Sequence, residues 1–330
     1  WPTWTKYIRE EGFIDLEPPR HTRIRRLVQH AFTRRASESY RPRMQATADR
    51  LLDQALEAGE MEAIAGYAAP IPVAMIAELL GIPSEDHPRL LEWSHAIVRV
   101  FDRGVSPEEG DRAEEAVASF RDYLTELLEE RRRRPLDDLT TALVQAEIDG
   151  ERLSQDELVA TCILVLNAGH EATVQAVGNG LIALWRHPDQ YRRLRADPGL
   201  APQAVEELLR FDSPLQMFER WVLEDVEWQG VALRRGSKVG LLFGSANRDS
   251  EVFTDPDRLD LGRGENPYLS FGAGIHYCVG APLAKVELEV AFTTFARRVA
   301  SFELEVDDSS RTPSLVFRGV PRLPARLVPA

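Results

Sequence analysis

The chain has 330 residues, enough for one large domain or two ordinary ones, and either buries a full hydrophobic core. Its formal net charge of −13 argues against nucleic acid and against anionic membrane surfaces as general partners. Two cysteines, Cys162 and Cys278, exclude a disulfide framework and fit a reducing, cytoplasmic compartment.

Trp1 to Leu16 has mixed character and predicts no element, and no signal peptide reads from its first ten residues. Arg20 to Phe32 reads as an arginine-dense helix after Pro18-Pro19, with His21 and Arg25 four apart on one face. Arg23, Arg26, Arg34 and Arg35 make a local basic patch, which suits either a solvated face or an acidic protein partner. Ser37 to Glu57 is predicted helical. After Ala69-Pro70-Ile71-Pro72, a short apolar helix runs from Val73 to Leu80 and stops at Gly81. His87 to Asp102 predicts another helix, whose Trp93, Ile97 and Phe101 suit core packing. Ala113 to Arg134 is a long amphipathic helix whose four closing arginines complement its C-terminus. Leu136 to Gln145 is a short one.

Ser154 opens the central helix, with Glu157 three residues on to complete a capping box. The apolar run from Leu158 to Ala168 is too short to span a bilayer, and Cys162 within it reads as a small buried hydrophobe. Next comes Ala168-Gly169-His170-Glu171-Ala172-Thr173. A glycine and an acid in mid-helix are unusual without a reason. Gly169 would let a flat cofactor lie against the helix, and Glu171 is either a proton-relay acid or a salt-bridge partner. No histidine follows at the HExxH spacing, so His170-Glu171 is not that zinc motif.

Two further helices follow, from His187-Pro188 to Leu194 and from Ala201 to Phe211, the second carrying Glu207 and Arg210 at i, i+3. Strand-like patterning marks Trp221 to Leu223, Val226 to Trp228 and Val239 to Leu242. Phe271-Gly272-Ala273-Gly274-Ile275-His276-Tyr277-Cys278-Val279-Gly280 is a glycine-rich loop ending in a cysteine, ahead of a predicted helix from Val279 to Ala300. Its glycines let backbone pass close to a bulky object, and loop amides with a helix start behind the sulfur favour thiolate. A lone thiolate in such a loop suits an axial haem ligand; the bland alternative is a buried structural cysteine. Phe302 to Val306 and Leu315 to Gly319 are the last predicted strands. With no repeat or linker, residues 1–330 read as a single domain.

Phe271, Gly272, Gly274, His276, Cys278, Gly280, Leu283 and Ala284 all fall on the pattern FGxGxHxCxGxxLA, and on these residues the chain resembles the cytochrome P450 family. The resemblance implies a mainly α fold with a smaller β region and a haem b whose iron takes Cys278 as thiolate ligand. It implies that His21, Arg25, Arg220 and His276 grip the haem propionates. Phe271, Gly272, Gly280, Ala168 and Gly169 would lie against the macrocycle. Glu207 and Arg210 match the family's structural ExxR pair, with Arg258 as the expected third partner. Trp93, Ile97, Leu166, Leu215, Met217 and Phe218 are the expected substrate-pocket residues. The family's N-terminal portion has no counterpart, so the domain reads as N-terminally incomplete.

Glu171, Ala172 and Thr173 fall on the family's oxygen-activating AGxET motif with one departure: Ala172 stands at the alcohol position. Thr173 lies one residue on, a rotation of about 100°, so its hydroxyl cannot simply substitute. The implied activity is a monooxygenase inserting one oxygen atom from O2 into a hydrophobic small molecule of secondary-metabolite type, with protons supplied by substrate or water. Coupling or peroxide-using chemistry, or a haem- or ligand-binding relative without turnover, are the alternatives. Electrons are expected from NAD(P)H through ferredoxin reductase and ferredoxin docking near His21 to Arg35, with Lys285, Arg297 and Arg298 extending that surface. The protein is expected to be a cytoplasmic monomer with no membrane anchor.

Overall fold

A computed structural model describes residues 2–101, 104–147 and 150–330; Trp1 and Asp102, where two of the predicted segments begin and end, lie outside the described residues. Helices are α1 Pro2–Trp4, α2 Arg20–Val28, α3 Arg34–Ser39, α4 Arg41–Ala58, α5 Pro70–Leu79, α6 His87–Arg99 and α7 Pro107–Arg133. After α8 Leu139–Gln145 come α9 Gln155–Arg186, α10 Pro188–Ala196, α11 Ala201–Phe211, α12 Phe243–Ala246 and α13 Ala281–Arg298. Strands are β1 Glu60–Glu62, β2 Met217–Trp221, β3 Val226–Trp228, β4 Val231–Leu233, β5 Lys238–Leu242, β6 Val299–Leu304 and β7 Pro324–Pro329. Among the described residues the architecture is mainly helical with three small antiparallel sheets, a mainly α fold with a smaller β region as the sequence resemblance implies.

The 32-residue α9 is the axis. The Ser154 hydroxyl accepts from the Glu157 amide at 3.2 Å while Glu157 accepts from the Ser154 amide at 2.9 Å, so the predicted capping box is present. Glu157 also takes Arg20 and Arg23 from α2, which removes Arg23 from the expected free basic patch. From there α9 runs buried among α5, α7, α11 and α13, and its apolar residues are buried on nearly every side because helices surround it. A second capping box, Ser106 with Glu109, starts α7 earlier than the apolar pattern predicts.

β1, β7 and β6 form one sheet, with Met61 opposite Ala325 and Phe302 opposite Leu327. β7 begins and ends in proline, which hides it from a propensity reading. The predicted strand Leu315 to Gly319 is not formed; only Phe317 bridges to Leu215. β2 pairs with β5, and β3 with β4. No helix among the described residues is long and apolar enough to cross a membrane.

Candidate functional site

Cys278 ends a loop held by its own backbone. Gly272 and Gly274, at φ 68° and 70°, take left-handed conformations that side chains disfavour, and the loop closes where the Cys278 amide donates to the Phe271 carbonyl at 2.9 Å. The amides of Gly280 and Ala281, at the start of α13, face the sulfur and favour thiolate, as does nearby Arg25; burial opposes them and pushes the thiol up. Cys278 remains part-accessible. A Cβ on Gly280 would sit 3.9 Å from the sulfur, so this position is compatible with a close approach without demanding glycine.

Beside the loop, α2 delivers His21 and Arg25. The His21 ring lies 4.4 Å from the His276 ring, and Arg25 donates to the Tyr277 carbonyl at 2.5 Å. Arg220, on β2, acts electrostatically on His276. Burial lowers the pKa of both histidines, and neighbouring positive charge lowers it further: His276 and Arg25 at His21, Arg220 and Arg25 at His276. Glu17 opposes this at both rings and Asp15 at His276, without reversing it. His21 is 2% exposed, yet neither ring nitrogen has a hydrogen-bond partner among the described residues. Buried, unsatisfied imidazole donors amid arginines are costly alone and fit an anionic group such as a haem carboxylate.

α9 turns one face outward. Ala168 is exposed and Ala172 half-buried, four residues apart on one stripe, with Glu171 half-buried beside them. Thr173 is buried, and its hydroxyl faces Glu287 of α13. It therefore points into the helix bundle, away from the alanine stripe. Gly169 corrects the expectation made for it. A Cβ there would lie 2.7 Å from two side-chain carbons of Ile76, so the glycine admits α5 rather than a cofactor.

Glu207 and Arg210 are paired in the core, at 2.7 and 2.9 Å, with neither side chain exposed. The third charge is Arg263, not Arg258: Arg263 reaches Glu207 at 3.0 Å, while Arg258 offers only its carbonyl to both arginines and leaves its side chain exposed. The Asp260 amide and carbonyls of Asn247 and Pro256 complete the network, which offsets the desolvation of a buried carboxylate.

Three expected pocket residues are placed in the core instead. Trp93 stacks on Phe120 at 5.4 Å under Arg89, turned toward α7. Ile97 is fully buried, and Leu166 closes a small apolar cavity with Val73, Ile76, Leu90, Leu91 and His170. Their helices present an apolar stripe to one another, which the sequence could not distinguish from a stripe facing a ligand. Leu215, Met217 and Phe218 are half-buried along and just before β2, and Phe218 rests near Phe243, which in turn approaches Gly272 of the cysteine loop. Of the predicted docking cations, Lys285 is paired with Glu206, Arg297 with Asp49, and Arg298 with Asp49 and Asp53.

The chain thus holds a part-accessible thiol facing helix-start amides and a cationic pocket beside it, a donor set that fits an iron porphyrin, together with an accessible alanine face on α9. Known proteins agree. The model for "Cytochrome P450" matches residues 2–198 and 199–327. The biotin biosynthesis cytochrome P450 of Bacillus subtilis is 38% identical over 96% of this chain and 80% of its own length. The 6-deoxyerythronolide B hydroxylase of Saccharopolyspora erythraea is 40% identical over 94% and 76%. The structure of P450BioI in complex with an acyl carrier protein ligated to hexadec-9Z-enoic acid superposes with a TM-score of 0.94 at 36% identity, covering 98% of this chain and 84% of that one. With cysteine loop, buried ExxR pair and fold all in agreement, the chain belongs to the cytochrome P450 family.

Proposed function

We propose that this cytochrome P450 monooxygenase oxidises a hydrophobic secondary metabolite and delivers protons through its substrate or water rather than through a helix alcohol. The observation that carries the reading is the pair Ala172 and Thr173: the residue on the accessible stripe has no hydroxyl, and the hydroxyl one position on is turned to Glu287. Thiolate-ligated haem, when bound, supplies activation of dioxygen with electrons from NAD(P)H delivered by ferredoxin and its reductase.

The chain's own residues do the rest. Cys278 would hold the metal, and the Gly280 and Ala281 amides favour its thiolate form against burial. His21, His276, Arg25 and Arg220 would hold the haem carboxylates. Phe271 and Gly272 of the loop and Ala168 and Ala172 of α9 would offer small or flat surfaces to the macrocycle. Leu215, Met217 and Phe218 line one side of the substrate space. Glu171 is half-buried, and its carboxylate accepts from Gln175 at 3.1 Å, so it is oriented and within reach of water. A substrate hydroxyl placed over Ala172 would restore the missing link between Glu171 and the reacting centre. Redox partners dock on the cysteine-loop side, where Arg34 and Arg35 are exposed.

The test is the absorption spectrum of the reduced, CO-bound protein. The expected result is the red-shifted Soret band of thiolate-ligated haem, lost in Cys278→His with haem retained. A band typical of histidine or neutral-thiol ligation in the wild type would overturn the reading.

A further inference from the structure

We infer that His95, His170 and Glu171 form a binding site for a divalent transition-metal ion such as zinc, bridging α6 and α9. One ligand atom from each of the three lies within 4.8 Å of the others. The rings of His95 and His170 have centroids 6.2 Å apart. Two imidazoles and one carboxylate are a zinc donor set, and with three protein ligands a fourth position stays open.

Two of the three ligands, His170 and Glu171, are held from behind, as metal ligands are. The His170 Nδ1 lies 3.0 Å from the Leu166 carbonyl, which can only accept, so this nitrogen carries the proton and Nε2 keeps its lone pair. That Nε2 is buried, in a residue 2% exposed, and has no hydrogen-bond partner among the described residues. A buried acceptor left without a donor is costly, and a metal ion satisfies it. Glu171 accepts from Gln175 Nε2 through one oxygen, and Gln175 is itself fixed by the Val320 amide at 3.2 Å, so the second carboxylate oxygen is available in a set direction. α6 is pinned where it must be. The Ser94 hydroxyl donates to Asn167 Oδ1 at 2.6 Å in the buried interface, which places the next residue, His95, opposite His170.

Ligand atoms around zinc, with bonds of ~2.0–2.2 Å, stand roughly 3.3 Å from one another. The set must therefore contract, and exposed His95 is free to swing inward. Its exposure also provides the entry path. This is not the HExxH arrangement, because the second histidine comes from another helix. Metal binding here would withdraw Glu171 from proton transfer and tether α6 to α9. That consequence rests on the role proposed for Glu171; the site itself does not.

The haem-loaded protein, in which His21, His276 and Cys278 are engaged, is titrated with zinc by calorimetry. One ion per chain is expected. Affinity should fall at least tenfold in His95→Ala and in Glu171→Gln and stay unchanged in His30→Ala, an exposed histidine outside the cluster. The zinc X-ray absorption edge should report two imidazoles and a carboxylate. Absence of saturable binding, or an affinity that either His95→Ala or Glu171→Gln leaves within twofold of wild type, overturns the site. In a parallel turnover assay, zinc should slow product formation in the wild type and not in His95→Ala. Binding as expected without that slowing keeps the metal site and refutes the relay role of Glu171.

Discussion

Replacing Glu287 by glutamine should remove a pH-dependent loss of stability that the wild type carries. Glu287 sits on α13, 2% exposed, with one carboxyl oxygen unpartnered among the described residues and the Thr173 hydroxyl as neighbour. Burial pushes its pKa from 4.5 up to about 8, against the smaller opposing effect of Thr173. In the folded chain it therefore holds its proton where the unfolded chain has released it. Stability from this group is fully present below pH 4.5, falls as pH rises and levels off above about 8. A pKa rise of that size sets a ceiling of about 5 kcal/mol, and structural relaxation around the charge reduces it to about half. Glutamine keeps the shape and cannot ionise. Urea unfolding of both proteins at pH 5 and pH 8, followed by circular dichroism, gives the double difference in which other titrating groups cancel. The variant should gain roughly 2–3 kcal/mol on the wild type between those pH values. An equal difference at both would refute the argument that Glu287 is folded away protonated.

Arg263→Ala should destabilise by roughly 3–5 kcal/mol, because it strips a partner from buried Glu207, whereas Arg258→Ala should stay within about 0.5 kcal/mol; thermal melts of the two variants decide which arginine is the third partner. Thr173→Val should leave the coupling of NADH consumption to product unchanged, while Ala172→Thr should alter it, as measured by product formed per NADH consumed. Gly169→Ala should cost roughly 1–3 kcal/mol as its Cβ presses on Ile76, less up to about 1 kcal/mol of gained helix propensity. Trimming the neighbour in the double variant Gly169→Ala/Ile76→Val should recover much of that loss in the same melt.

The sequence by itself determined what depends on near neighbours in the chain. The cysteine loop was legible because its glycines, His276 and Cys278 act through local backbone geometry, and the Ser154–Glu157 capping box because cap and partner lie within one turn. The absent alcohol at Ala172, and the rotation that keeps Thr173 from replacing it, follow from helical periodicity. Tertiary structure alone decided what each helical face meets. Ile76, from another helix, explains Gly169; Arg263, reaching Glu207 across 56 residues of chain, displaces Arg258. Trp93, Ile97 and Leu166 belong to helix–helix packing because an apolar stripe fits a helix or a ligand equally well, and only the partner distinguishes them. The same holds for His95 and His170, 75 residues apart in the chain and joined only where α6 crosses α9.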